Sequence, residues 1–277
     1  VSVHHSEWRS WRGTTALVTG ASSGIGEEFA RVLAEQGADL VLVARREERL
    51  KRLADELRTA HGVRVHVEAL DLASPDAPAE LHRRTRKAGL TVDLLVNNAG
   101  FGLYGLHLDI PWEREAQMLQ LDIVALAWLT RLYVTDMLAR GRGRVIQLAS
   151  IGAYQPSPTY AAYGAAKAYV LSFGEALDYE LRGSGVRCTV LSPGVTRSEF
   201  LAVSGQPLRP FHRLTMMSAR EVVEIGLRAS LRGRPAVIPG IVNKLSVGFL
   251  RFVPRRWQAA LAHWTMTAGG AAGGEAP

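Results

Sequence analysis

Short runs of apolar, largely β-branched residues alternate along the chain with longer stretches whose apolar positions recur three and four apart. The runs span residues 16–19, 39–44, 64–69, 94–97, 144–148, 186–191 and 236–238. They are near-continuous rather than strictly alternating, as expected of strands covered on both faces. The stretches between them read as helices. Residues 26–36 repeat Phe29, Ala30, Leu33 and Ala34, and residues 47–60 place Leu50, Leu53 and Leu57 on one face before Gly62. Long helices are predicted over 112–140 and 159–182. This alternation predicts an α/β fold with a doubly wound, seven-stranded parallel sheet flanked by helices on both faces.

The chain of 277 residues is long enough for one such domain to bury a full core. No internal boundary or long-period repeat interrupts it. The expected organisation is an N-terminal extension (1–13), a single domain (14–240), a basic amphipathic extension (241–268) and a disordered Gly/Ala-rich tail (269–277). With 47% hydrophobic and 21% charged residues the composition is globular. No apolar run approaches the roughly 18 residues of a membrane span, and the best, 123–130, soon meets Arg131. Residues 1–13 lack the apolar centre of a secretory leader. The single cysteine, Cys188, excludes an intramolecular disulfide and fits a reducing cytoplasm. It sits in an apolar, strand-like run and reads as a buried structural thiol.

The net charge of +7 raises the question of nucleic acid. Only four basic residues are lysines (Lys51, Lys87, Lys167, Lys244), and the arginines are dispersed from Arg9 to Arg256, many beside Glu. A scattered excess draws anions at long range but forms no groove-shaped footprint. With no helix-turn-helix, zinc-finger or RNA-binding motif, no nucleic-acid partner is expected. The eight histidines form no HExxH or Cys/His cluster, so no metal is implied.

Candidate chemistry begins directly after the first strand. Gly20, Ser22, Ser23, Gly24, Ile25 and Gly26 form a glycine-rich turn that opens the first helix. Glycine there lets the backbone approach a pyrophosphate, and the helix N-terminus offers free N–H groups to the anion. Placed between a strand and a helix, the turn predicts a bound dinucleotide in a Rossmann-like fold. About 20 residues further on, where an NAD site carries an acidic residue, stand Ala44, Arg45 and Arg46. Guanidinium groups there suit the 2′-phosphate of NADP(H).

These residues and four further matches resemble the short-chain dehydrogenase/reductase family in its compact single-domain form. The matches are Asn97-Asn98-Ala99-Gly100, Ser150 at the end of the fifth strand, Tyr163 with Lys167 four residues on, and Pro193-Gly194 after the sixth strand. The resemblance implies that Asn98, Ala99, Gly100, Pro193, Gly194, Val195 and Ser198 line the coenzyme. It also implies that Asp71-Leu72 pack around the adenine, and that Tyr163 and Lys167 contact the nicotinamide side. Compact members are often homodimers or homotetramers.

The chemistry asks for the same residue types. An alkoxide formed from a carbonyl must be protonated, and a free tyrosine, with a pKa of about 10, is a weak acid for the task. Lys167 lies one helical turn beyond Tyr163, so its ammonium is expected to lower the phenol. Ser150 is placed to hold the substrate oxygen. The family's fourth catalytic member is an Asn, and Asp122 stands in its place. Either its backbone carbonyl carries the proton relay unchanged, or its carboxylate blunts the effect of Lys167 on Tyr163.

Phe101, Leu103, Tyr104, Ile151, Tyr154, Gln155, Pro156, Phe200, Leu201, Phe211, Met216 and Met217 follow the relevant strands and suit an apolar or aromatic carbonyl substrate. In residues 241–266, apolar residues alternate with Lys244, Arg251, Arg255 and Arg256, and Pro254 breaks any single helix. The segment reads as a lid, a subunit interface or a peripheral membrane contact. The expected function is a cytoplasmic NADP(H)-dependent oxidoreductase interconverting a carbonyl and a secondary alcohol. The alternatives are a membrane-peripheral 3-ketoacyl reductase and a non-catalytic NADPH-binding sensor or scaffold.

Overall fold

Strands β1 (Thr15–Thr19), β2 (Asp39–Ala44), β3 (Val65–Ala69), β4 (Leu94–Asn97), β5 (Gly143–Leu148) and β6 (Val186–Leu191) each begin within one residue of the predicted runs. With the short β9 (Ala236–Val237) they form one sheet in the order β3-β2-β1-β4-β5-β6-β9. Every pairing in it is parallel. The computed structural model describes residues 10–197, 199–207 and 215–267.

The sheet is doubly wound because its strands are apolar on both faces. In β1, Ala16 and Val18 point into one core and Leu17 into the other. The first core packs α1 (Gly24–Glu35), α2 (Glu47–His61) and the helix Ala219–Leu231 against the sheet. The second packs α3 (Ala77–Lys87) and α5 (Leu126–Arg140) against the opposite face. Cys188 is fully buried in the second core, and burial pushes its thiol pKa up. Trp11, which the sequence reading assigned to the N-terminal extension, is fully buried in the first core.

Two features were not visible as sequence patterns. The helix predicted over 112–140 is α4 (Trp112–Leu119) and α5 joined by a wide π-helical turn at residues 120–125. By length and composition this stretch could cross a membrane, with a mean hydropathy of 1.2 over its best window. Its Leu126, Leu129, Tyr133, Val134 and Met137 are instead buried against the sheet, as in a core helix. Beyond β6, β7 (Thr196–Arg197) and β8 (Met217–Ser218) pair as a separate two-stranded ribbon. The long helix α6 (Ala161–Glu180) lies against β6 and the turn after β5.

Candidate active site

The strand order reverses between β1 and β4, and the carboxyl ends of both open onto one cleft of about 410 Å³. Gly20 and Gly24 take left-handed backbone there, with φ of +68° and +58°. A Cβ at Gly20 would lie 2.7 Å from Asn98 Nδ2, and one at Gly26 would run into Gly20 O. Only glycine lets the turn close. Asn98 holds it from the β4 side, its Nδ2 donating to Thr19 O at 2.9 Å and its backbone N–H to Thr19 Oγ1 at 2.9 Å. Asn97 ties the sheet centre together through Thr130 Oγ1 at 2.9 Å and Gln147 Oε1 at 3.1 Å. The first amides of α1 have no acceptor within the helix, and the Ser23 side chain caps none of them. A cradle closed by glycine and lined by free amides fits the pyrophosphate of a dinucleotide.

Two arginines sit at the rim above this turn, and they differ. Arg46 donates from Nε to Ser22 Oγ at 3.0 Å and from Nη2 to Ser23 Oγ at 2.5 Å. Its Nη1 donates to Glu199 Oε2 at 3.0 Å, while Arg49 Nη1 holds the other oxygen of Glu199 at 2.8 Å. Arg49 and then Arg46 keep the Glu199 carboxyl below the usual carboxylate range. Arg45 leans the other way, 3.8 Å from Asp71 Oδ2. Leu72 is buried beside Asp71, and both line the cleft.

At the floor, Ser150 stands just beyond β5 and caps the turn Ile151–Tyr154, its Oγ accepting the Gly152 N–H at 3.1 Å. Ser150 and Tyr163 both line the cleft, and the Ser150 hydroxyl draws the phenol down. Lys167, one turn along α6, donates to Leu148 O at 3.1 Å and lies 3.0 Å from Asp122 Oδ2. The π-helical turn carries Asp122, fully buried, with its Oδ1 accepting the Phe101 N–H at 3.1 Å. Gly100 packs directly on this carboxylate: a Cβ there would lie 2.8 Å from Oδ1.

The electrostatics of the pair bear on the tyrosine. Burial first, and then the Asp122 charge, hold the phenol above its ordinary value, and the Ser150 hydrogen bond pulls only partly back. The ammonium expected to acidify the tyrosine has a carboxylate 3.0 Å away. Burial likewise raises the Asp122 carboxyl, opposed by Lys167 and the Phe101 N–H.

The far end of the cleft is aromatic. Tyr160 and Phe200 flank Tyr163 with ring centres 5.4 and 5.5 Å away. Tyr160 Oη lies 2.9 Å from both Ser204 Oγ and Gln206 Oε1, which ties this wall to α7 (Phe200–Ser204). Of the expected substrate-side residues, Phe101, Ile151, Phe200 and Leu201 line the cleft. Tyr104 instead stands edge-on behind Tyr160 with ring centres 5.4 Å apart, and Tyr154 turns its hydroxyl to Ser192. Leu103, Gln155, Pro156, Met216 and Met217 are not in the lining. Pro193, Gly194 and Val195 form the opposite wall. Ser198 and Phe211 lie outside the described residues. Thr196, Tyr160, Glu199 and Gln206 line the cleft and were missed. Tyr160 was findable, since it stands three residues before Tyr163, at the N-cap of α6.

Residues 14–209 match the short chain dehydrogenase family. The chain is a short-chain dehydrogenase. An uncharacterised oxidoreductase of Myxococcus xanthus is 35% identical over 219 residues, 79% of this chain and 84% of its own length. A 7beta-hydroxysteroid dehydrogenase of Collinsella aerofaciens is 32% identical over 238 residues, 85% of this chain and 89% of its own. Among solved structures, a short-chain dehydrogenase of Sphingobium yanoikuyae in complex with NADPH superposes with a TM-score of 0.79 at 30% identity, covering 95% and 98% of the two chains. One from Burkholderia phymatum in complex with NAD reaches a TM-score of 0.79 at 26% identity, covering 90% and 96%. As a short-chain dehydrogenase the protein is an oxidoreductase of CH–OH groups that uses a nicotinamide coenzyme. Its neighbours divide between NADPH and NAD, so the choice rests on this chain's own rim.

Proposed function

We propose that this short-chain dehydrogenase is NADP(H)-dependent and interconverts a carbonyl and a secondary alcohol on an apolar or aromatic substrate. One observation carries the reading. Ser150, Tyr163 and Lys167 meet at the floor of a cleft whose rim presents Arg46, with Ser22 and Ser23, above the glycine turn.

The coenzyme, when bound, supplies or accepts the hydride; Gly20, Gly24, Ile25, Gly26, Asn98, Ala99 and Gly100 would hold it, with Arg45 and Arg46 at the 2′-phosphate. The remaining steps belong to the chain. Ser150 donates a hydrogen bond to the substrate oxygen, stabilising charge where it develops. Tyr163 donates its phenolic proton to the same oxygen. Because burial and Asp122 hold that phenol up, it is fully protonated at neutral pH and ready for reduction. Oxidation needs the phenolate, so oxidative turnover rises with pH. Asp122 and Leu148 O fix Lys167 from two sides and keep its ammonium beneath the phenol ring, 5.6 Å from the ring centre.

The aromatic wall of Tyr160, Phe200 and Phe101 supports a flat or extended apolar substrate. Hydroxysteroids, named for one relative, head the panel to try. A second reading, a 3-ketoacyl reductase working at a membrane, draws support from the exposed C-terminal face described below. We expect a homodimer or homotetramer in a reducing compartment.

The test is NADPH and NADH oxidation across ketosteroids, aryl ketones and 3-ketoacyl thioesters, with Tyr163→Phe as control. Turnover with NADPH, abolished by the substitution and much weaker with NADH, supports the reading. Preference for NADH overturns the role of Arg46. NADPH binding without turnover on any class favours the sensor alternative.

A further inference from the structure

The helices Ile241–Leu250 and Arg255–Thr267 are separated at Pro254. Asn243 and Leu250 on the first and Ala262 on the second are buried. Asn243 Nδ2 donates to Pro239 O at 2.9 Å and abuts Gly194, which lines the cleft. The opposite side inverts the usual pattern. Ile241, Leu245 and Phe249 follow one helical stripe, Phe252 stands in the turn just beyond it, and all four are between 59% and 84% exposed. Trp257 and Trp264, seven apart on the second helix, are 60% and 65% exposed. A helix face turned to water ordinarily carries polar side chains, so a contiguous apolar one marks a contact surface.

The borders of this face are cationic. Lys244 and Arg251, seven apart, share one flank of the first helix. Arg255 and Arg256 open the second, with the Arg256 guanidinium 5.8 Å from the Trp257 ring centre. Residues 241–267 contain no Asp or Glu. We propose that this face docks on an anionic membrane surface, with Leu245, Phe249, Phe252 and the two tryptophans in the interface and the basic residues among the headgroups.

A second copy of the chain is the poorer occupant. A two-fold contact would set the basic flanks against themselves, with no carboxylate in the segment to pair them. Residues 268–277 are Ala, Gly, Glu275 and Pro277, and bring no large apolar side chain to cover the stripe. Docking through the first helix, whose Asn243 abuts Gly194, sets the cleft near the lipid. This inference is independent of the coenzyme and substrate reading.

The test is sedimentation of the full chain with vesicles of phosphatidylcholine, with and without phosphatidylglycerol. The expected result is pelleting with the anionic vesicles only, declining as salt is raised. A Leu245→Glu/Phe249→Glu variant should lose about tenfold or more in partition. Both side chains are exposed, so its circular dichroism and coenzyme binding should stay unchanged. Lys244→Ala/Arg251→Ala should lose about tenfold on anionic vesicles. Failure to pellet, or equal pelleting with neutral vesicles, overturns the proposal. So does a fall in solution mass of the Glu variant in the absence of vesicles, which would assign the face to a second copy.

Discussion

Two ion pairs stand at opposite ends of one cleft and differ in how far water reaches them. The Lys167 and Asp122 side chains at the floor are 6% and 0% exposed, whereas Arg46 and Glu199 at the rim are 44% and 47% exposed. Neither member of the buried pair can be lost without stranding a charge in apolar surroundings. The rim pair is solvated, so another anion can replace Glu199 at small cost. In the proposed mechanism the first pair is therefore part of the fixed proton chemistry. The second is an exchangeable contact: Glu199 holds the guanidinium that the proposal gives to the 2′-phosphate.

The largest expected effect breaks the buried pair. Lys167→Ala should cost about 3–5 kcal/mol in unfolding free energy, because the buried Asp122 carboxyl loses its cation. Lys167→Ala/Asp122→Asn should recover part of that loss, and turnover should vanish in both. Denaturant unfolding measures the first effect; equal stability of the two variants would show that the pair is not coupled.

Asp122→Asn alone sharpens the comparison through pH. Removing a negative charge beside the phenol, and leaving the Lys167 ammonium unmatched, both favour phenolate. The oxidative pH–rate profile should move down by about one unit. An unmoved profile would mean that burial alone sets the phenol.

At the rim the effects are smaller and coenzyme-specific. Arg46→Ala should raise the KM for NADPH about ten- to a hundredfold, the range for a lost charge-assisted hydrogen bond, and barely alter that for NADH. Glu199→Gln should tighten NADPH about two- to fivefold and leave NADH alone, as fits an exposed pair. Weaker NADPH binding in that variant would show that Glu199 supports Arg46 instead of competing for it.

Much of the frame was legible in the sequence because its causes are local. The apolar runs dictate strands, the glycines dictate the turn after β1, and a spacing of four puts Tyr163 and Lys167 on one face. What was not legible depends on contacts across the chain. Arg46 and Glu199 are 153 residues apart, and nothing in either neighbourhood announces the other. The π-helical turn at 120–125 has no compositional signature, so the departure at Asp122 was visible but its ion pair with Lys167 was only one of two readings. Trp11 read as part of an extension because its burial depends on α1 and the helix Ala219–Leu231.

The glycine packed on Asp122 has a consequence for how this protein can change. At position 100 even a methyl group, which neither ionises nor bonds hydrogen, would displace the carboxylate beneath it and shift the lysine it holds. An alanine there would act as a chemical lesion delivered by bulk alone. Any enlargement at Gly100 therefore first needs a different residue at 122.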